Sequence, residues 1–247
     1  VRILIAGLVL LPLAIASLPK FPAKKLPLLL LSGAIGNLIP AFLFATAIHY
    51  ISGALEGILN SLTPLFVVVI GIVFFKLQVK QRKVVGVLIG FAGLLLLGFS
   101  GGAIDVSNVQ YAFLILLATI LYGINVNIVS RYLQGFNPLH TASLSLGMVA
   151  IPAGLVAWQQ GVFTIVQQEG LHWPLLAAAL LGAMGTAVAT IVFYVLIKRA
   201  GALFASLVTY GIPVVAIIWG VLANEAVSIA QVACLVVILT GVFVAGK

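Results

Sequence analysis

The chain has 247 residues, of which 64% are hydrophobic and 6% charged, with a formal net charge of +8 and a mean hydropathy of +1.33. Soluble domains carry about 25% charged residues, so this composition excludes a soluble globular protein and places the chain in lipid. Cys234 is the only cysteine, His49, His140 and His172 stand far apart, and no Walker-type phosphate loop occurs, which excludes an internal disulfide, a cysteine metal cluster and ATP hydrolysis by the chain itself.

Windows of about 20 apolar residues per crossing predict membrane helices at 3–18, 28–48, 54–75, 83–99, 109–130, 139–157, 174–197, 202–222 and 229–245. The first, with Arg2 ahead of it and Ala14-Ile15-Ala16 inside it, superficially mimics a secretory signal. The lysines and further spans that follow directly favour a membrane helix. Counting the loops alternately gathers Lys20, Lys24, Lys25, Lys76, Lys80, Arg82, Lys83, Arg131, Lys198, Arg199 and Lys247 on one side of the bilayer. Arg2, Asp105, Glu169 and Glu225 fall on the other. The net positive charge is therefore a topology signal rather than a nucleic-acid footprint, and it predicts a cytoplasmic C-terminus in the inner (plasma) membrane.

The segment from Gly53 to Lys76, GALEGILNSLTPLFVVVIGIVFFK, superposes without a gap on Ala202 to Glu225, ALFASLVTYGIPVVAIIWGVLANE, at a shift of 149 residues. Pro64 falls on Pro213, Asn60 on Thr209, Ser61 on Tyr210, Gly57 on Ser206 and Lys76 on Glu225; upstream, Gly33 and Gly36 fall on Gly182 and Gly185. A register held over about 45 residues is an internal duplication. The second half, 109–245, carries five helices and the first, 3–99, carries four, so a helix is expected ahead of Val1. Five-helix units repeated in direct order insert in opposite orientations, which is an inverted repeat. The expected units are 1–101, with four of five helices, and 106–247.

Two stretches carry a family likeness: SGALEGILNSLTPLFVVVIGIVFFKLQVKQRKVVGVLIGFAGLLLL in the first unit and RAGALFASLVTYGIPVVAIIWGVLANEAVS in the second. Small residues, a mid-helix proline, an acidic residue at the helix end and a glycine-rich closing helix resemble the EamA-type proteins of the drug/metabolite transporter superfamily, over nearly the whole chain. The resemblance implies an all-α integral membrane fold of ten helices in two inverted five-helix units, moving amino acids, other metabolites or drugs, often outward. The chain departs from the pattern at Lys76, where the first unit usually has an acid, and in lacking the first helix, which in the family helps wall the cavity.

Both proline helices show a polar stripe at helical spacing: Gly57, Asn60, Ser61 and Pro64 in one, Ser206, Thr209, Tyr210 and Pro213 in the other. Proline lacks an N–H, so the carbonyls of Asn60 and Thr209 lose their usual partners, and broken helices at matching places point to a transporter's binding site. Packing kinks without a ligand are the competing reading. Glu56, one turn before Asn60, either takes up a proton or a substrate ammonium, or favours the helix N-terminus. His49 could pair with it or merely sit at the interface. Asn37, Thr186, Asn127 and Tyr194 are further path candidates; the glycine rows around Asn37 and Thr186, and Gly86, Gly90 and Gly93, are read as packing surfaces. Trp158 and Trp173 are read as interfacial anchors.

No nucleophile–base or metal constellation is visible, so the chain is expected to be no enzyme and to hold no cofactor or metal. The leading expectation is a secondary transporter exporting a small polar metabolite by alternating access, with the bilayer and its substrate as partners, as a monomer or homodimer. A lipid flippase or multidrug carrier on the same fold, and a non-transporting membrane scaffold, are the alternatives.

Overall fold

A computed structural model describes residues 1–100, 109–162, 172–222 and 228–246. Asp105, Glu169, Glu225 and Lys247, which entered the charge sorting, lie outside them. Every regular element among the described residues is helical. In chain order these are α1 (Arg2–Ser17); α2, made of Leu26–Gly33, a π-helical stretch Ala34–Leu38 and Ile39–Ala47; α3 (Gly53–Asn60); α4 (Thr63–Phe75); and α5 (Gln81–Ser100). There follow α6 (Val109–Ile128), running on into a π turn at Val129–Leu133; α7 (Pro138–Gln159); and α8, made of His172–Leu180, a π-helical stretch Leu181–Val188 and Ala189–Ala200. The last are α9 (Ala202–Ser206) with a 3₁₀ turn Leu207–Gly211, α10 (Ile212–Leu222) and α11 (Ile229–Gly246).

Eight helices among the described residues are long and apolar enough to cross a membrane, and Ala202–Val215, within the predicted ninth at 202–222, is a shorter apolar helix that includes the 3₁₀ turn. The chain is a multi-pass, all-α membrane protein. Apolar side chains such as Phe74 (76% exposed) and Phe113 (66%) stand outside the protein core, as lipid-facing residues do.

The chain divides into two compact units, Val1–Ala41 with Ile128–Arg199, and Phe42–Asn127 with Ala200–Lys247. Each unit draws on both of the repeats expected at 1–101 and 106–247, so the compact bodies divide the chain differently from that expectation.

In the first unit, α1 packs along α7 around Ile3, Ala6, Leu10, Leu146, Val149 and Ala153. Gly154 meets Leu4 and Gly7 meets Ala150, so these repeat-equivalent helices run antiparallel. The duplicated glycines show the same inversion. A Cβ on Gly33 would lie 2.8 Å from Val149 Cγ1 of α7, and one on Gly182 would lie 2.6 Å from the Arg2 carbonyl oxygen of α1. Each glycine lets its helix approach the other repeat's preceding helix, where a side chain would force the backbones apart.

In the second unit, α5 and α11 are equivalent and pack along their length, Gly86 beside Ala245 and Gly93 beside Ile238, again antiparallel. Val87, Leu94, Leu207, Tyr210, Ile238 and Ala245 form the core there, and Ala47, Ile51, Leu55 and Ile115 a second cluster. α4 ends at Lys76 in the left-handed conformation (φ 52°), with Leu77 N–H donating to the Gly71 carbonyl at 2.9 Å. A cation at a helix C-terminus complements the helix dipole, which makes Lys76 locally favourable where the family resemblance implied an acid.

Candidate functional site

Both proline-bearing segments belong to the second unit, and α9 with its 3₁₀ turn packs against α4. The two segments are interrupted at equivalent places. α3 ends at Asn60, Ser61 and Leu62 form a turn, and α4 begins at Thr63. The 3₁₀ turn Leu207–Gly211 precedes α10, which begins at Ile212. Pro64 and Pro213 thus stand in the first turn of a new helix, where a missing N–H costs least.

The carbonyls expected to be free are not. Thr63 Oγ1 donates to the Asn60 carbonyl at 2.7 Å, and the Ile212 N–H donates to the Thr209 carbonyl. The tightened turn brings near neighbours to the oxygen that the i+4 donor would have reached, so neither of these two carbonyls is bare.

The side chains of the two stripes divide. Ser61 Oγ donates to the Ile58 carbonyl, Ser206 Oγ to Leu203 at 2.7 Å and Thr209 Oγ1 to Ser206 at 3.0 Å, all within their own helices. Tyr210 is fully buried, with its ring against Gly90 and its hydroxyl donating to the Val87 carbonyl at 2.9 Å. That placement makes Tyr210 a clamp between the 3₁₀ turn and α5 rather than a wall of an open path. Tyr210→Phe is expected to lower stability by about 1 kcal/mol, the net worth of one such bond, measured as a reduced apparent Tm.

Glu56 and Asn60 behave differently. They stand one turn apart on α3; Glu56 Oε2 and Asn60 Oδ1 are buried and have no hydrogen-bond partner among the described residues. Ser52 caps this helix, accepting from the Leu55 N–H at 3.2 Å. Between them, a Cβ on Gly57 would meet nothing within 4 Å. Asn127, on α6, donates through Nδ2 to the carbonyls of Gly123 (2.8 Å) and Val67 (3.0 Å), pinning α6 to α4 just beyond Pro64. Its Oδ1 is buried without a partner among the described residues and faces Gly71. Buried polar atoms are nearly always paired, so three such oxygens in one unit call for an explanation.

The first unit collects the remaining candidates on α2 and α8. Thr190 Oγ1 donates to Asn37 Oδ1 at 3.3 Å, and Ser32 Oγ lies 2.8 Å from Tyr194 Oη. Thr186 bonds back to the Leu181 carbonyl at 3.4 Å. Asn37 and Thr186, equivalent in the repeat, both fall in π-helical stretches, a local geometry frequent at functional sites. Ser32 and Thr190 had not been singled out from the sequence. Thr190 was visible there, because Thr186, Thr190 and Tyr194 recur every four residues; Ser32 carried no such signal.

The EamA-like transporter family matches residues 1–99 and 110–246. The chain belongs to the EamA-like transporter family. An uncharacterized transporter of Archaeoglobus fulgidus is 24% identical over 197 residues, which cover 79% of this chain and 68% of that protein. A protein of known crystal structure superposes with a TM-score of 0.74 at 21% identity, over 99% of this chain and 84% of that one, and shows a shared fold. Among the described residues of this EamA-like chain, no group of His, Cys, Asp and Glu is placed to hold a metal ion.

Proposed function

We propose that this EamA-like protein is a secondary transporter that exports a small polar metabolite, of the size and character of an amino acid, by alternating access in the plasma membrane, with its C-terminus in the cytoplasm. The observation that carries the reading is the polar face of α3 beside the Pro64 break. There Glu56 Oε2 and Asn60 Oδ1 are buried with no hydrogen-bond partner among the described residues, and a Cβ on the adjoining Gly57 would meet nothing within 4 Å outside its chain neighbours. A carboxylate and an amide oxygen are acceptors, which suits an ammonium or other donor-rich solute better than an apolar drug. An ionisable residue inside a membrane span is expensive and is kept where a path or proton relay needs it, so Glu56 is also the candidate for proton coupling. The repeat-equivalent break at Leu207–Gly211, packed beside α4, supports the same place. In this reading Asn127 holds α6 against the break and contributes its free oxygen, while Asn37, Thr186 and Tyr194 form a second polar set in the first unit.

The test is flux in proteoliposomes with the full-length protein, screened against amino acids, nucleosides and cationic drugs. Glu56→Gln is expected to abolish proton-driven flux while leaving substrate exchange measurable. Transport of cationic drugs alone would replace the metabolite reading by the multidrug one. Unchanged flux of every solute in Glu56→Gln and Asn60→Ala would remove the site.

A further inference from the structure

The first unit carries a charged feature that the transport reading does not use. After α1 the chain turns through Leu18–Lys20 and Ala23–Lys25 before entering α2. At that corner Lys24, Lys25, Pro27, Leu28, Leu31 and Tyr132 line an open groove of about 530 Å³. Its rim is cationic and uncompensated. Lys24 is exposed and makes no ion pair among the described residues. Lys25 is steadied by neutral partners: its Nζ donates to the Tyr132 carbonyl at 3.4 Å and lies 5.8 Å from the centre of the Tyr132 ring. Arg131, also exposed, precedes Tyr132 in the chain. No acidic side chain stands among the described residues of this unit.

The floor of the groove is apolar. Leu28 and Leu31 are three residues apart on α2, hence on one face, and Leu31 is 44% exposed. This face leads from the lysines into the membrane-spanning length of the helix. A soluble anion would find the charge but no use for the leucines; an apolar chain would find the leucines but not the lysines. The combination fits a ligand with an anionic head and a hydrocarbon tail at the membrane interface, where basic pockets recognise acidic headgroups.

We propose that the groove binds an anionic phospholipid, its phosphate between Lys24 and Lys25 and an acyl chain laid over Leu28 and Leu31. Tyr132 closes one side and positions the Lys25 ammonium. The site would let the acidic-lipid content of the membrane act on the first unit, separately from the polar face of α3.

The experiment is lipid retention by the purified full-length protein, read by native mass spectrometry with phosphatidylglycerol and phosphatidylcholine in competition. The wild-type protein is expected to retain phosphatidylglycerol preferentially, and Lys24→Gln/Lys25→Gln to lower that preference by about tenfold or more. Lys80→Gln/Lys83→Gln, which removes as much charge from the second unit, is expected to keep it. Leu31→Asn keeps both lysines and is expected to weaken retention of the lipid. Soluble glycerol phosphate is expected not to compete. Equal retention of the two lipids by the wild type, unchanged preference in Lys24→Gln/Lys25→Gln, or equal loss in both lysine pairs would overturn the proposal. So would displacement by glycerol phosphate, which would make the groove a site for free phosphate.

Discussion

Gly241→Leu is expected to be the most damaging single change in the second unit, lowering stability by about 3 kcal/mol or more, at the upper end of what overpacking costs. A Cβ at position 241 would lie 2.6 Å from the Gly86 carbonyl oxygen and 2.6 Å from Gly90 Cα, so the obstacle is backbone from two successive turns of α5. A flexible side chain could rotate away; two helical turns cannot. α5 would have to withdraw, and in doing so would separate Gly90 from the Tyr210 ring that presses on it and Val87 from the Tyr210 hydroxyl. The damage therefore spreads from the α5–α11 seam to the 3₁₀ break. For a chain of this size each kcal/mol moves the midpoint by roughly 2–4 °C, so the apparent Tm is expected to fall by about 6–12 °C. The drop is measurable by size-exclusion chromatography of heated samples in detergent. Gly241→Ala is expected to show a smaller loss of the same sign, because the clash begins at Cβ itself. A Tm unchanged in both variants would mean that the two helices do not approach as closely as described.

Much of this packing is legible in the sequence, because the shift of 149 residues pairs Gly33 with Gly182. Five helices per unit require equivalent helices to run in opposite directions, and α1 with α7, α2 with α8, and α5 with α11 do so. What was not legible is how each polar group is spent. A serine at helical spacing reads the same whether its hydroxyl faces a path or bonds back to a carbonyl three residues earlier, as Ser61 and Ser206 do. The role of Tyr210 depends on Val87 and Gly90, more than a hundred positions away, and no local pattern announces that meeting. Proline alone leaves the Asn60 carbonyl bare; Thr63, the residue before Pro64, supplies the hydroxyl that takes the place of the missing N–H. The division into compact units is not legible in the sequence for a related reason. Repeats follow chain order, whereas inverted helices find their partners across it.

Gly57→Leu is expected to abolish flux while leaving the fold intact, and it separates a path from a packing face more sharply than removal of any polar group. The described glycines include some that serve contact and some, Gly57, Gly135, Gly201 and Gly211, where an added Cβ meets nothing within 4 Å. At Gly33, Gly86, Gly182 and Gly241 an added Cβ strikes a neighbouring helix, so those residues serve contact. At Gly57 it meets nothing, although the residue is only partly exposed and lies between two side chains with buried, unpartnered oxygens. Space beside unsatisfied acceptors is what a solute-binding face requires, and it is also the place where a leucine fits without strain. Replacing a helical glycine removes backbone entropy from the unfolded chain, so Gly57→Leu is expected to leave the apparent Tm unchanged or raise it slightly, by the equivalent of about 0.5–1 kcal/mol. Transport of the wild-type substrate in proteoliposomes is expected to fall at least a hundredfold, because the leucine occupies the volume the solute would take and an apolar wall replaces access to Glu56 and Asn60. Gly57→Ala, smaller by three carbons, is expected to give a partial loss. If Gly57→Leu instead lowered stability sharply, the face would be a packing surface like that of Gly241. If it left both Tm and flux unchanged, α3 would border lipid there, and the unpaired oxygens of Glu56 and Asn60 would have no bearing on what the protein carries.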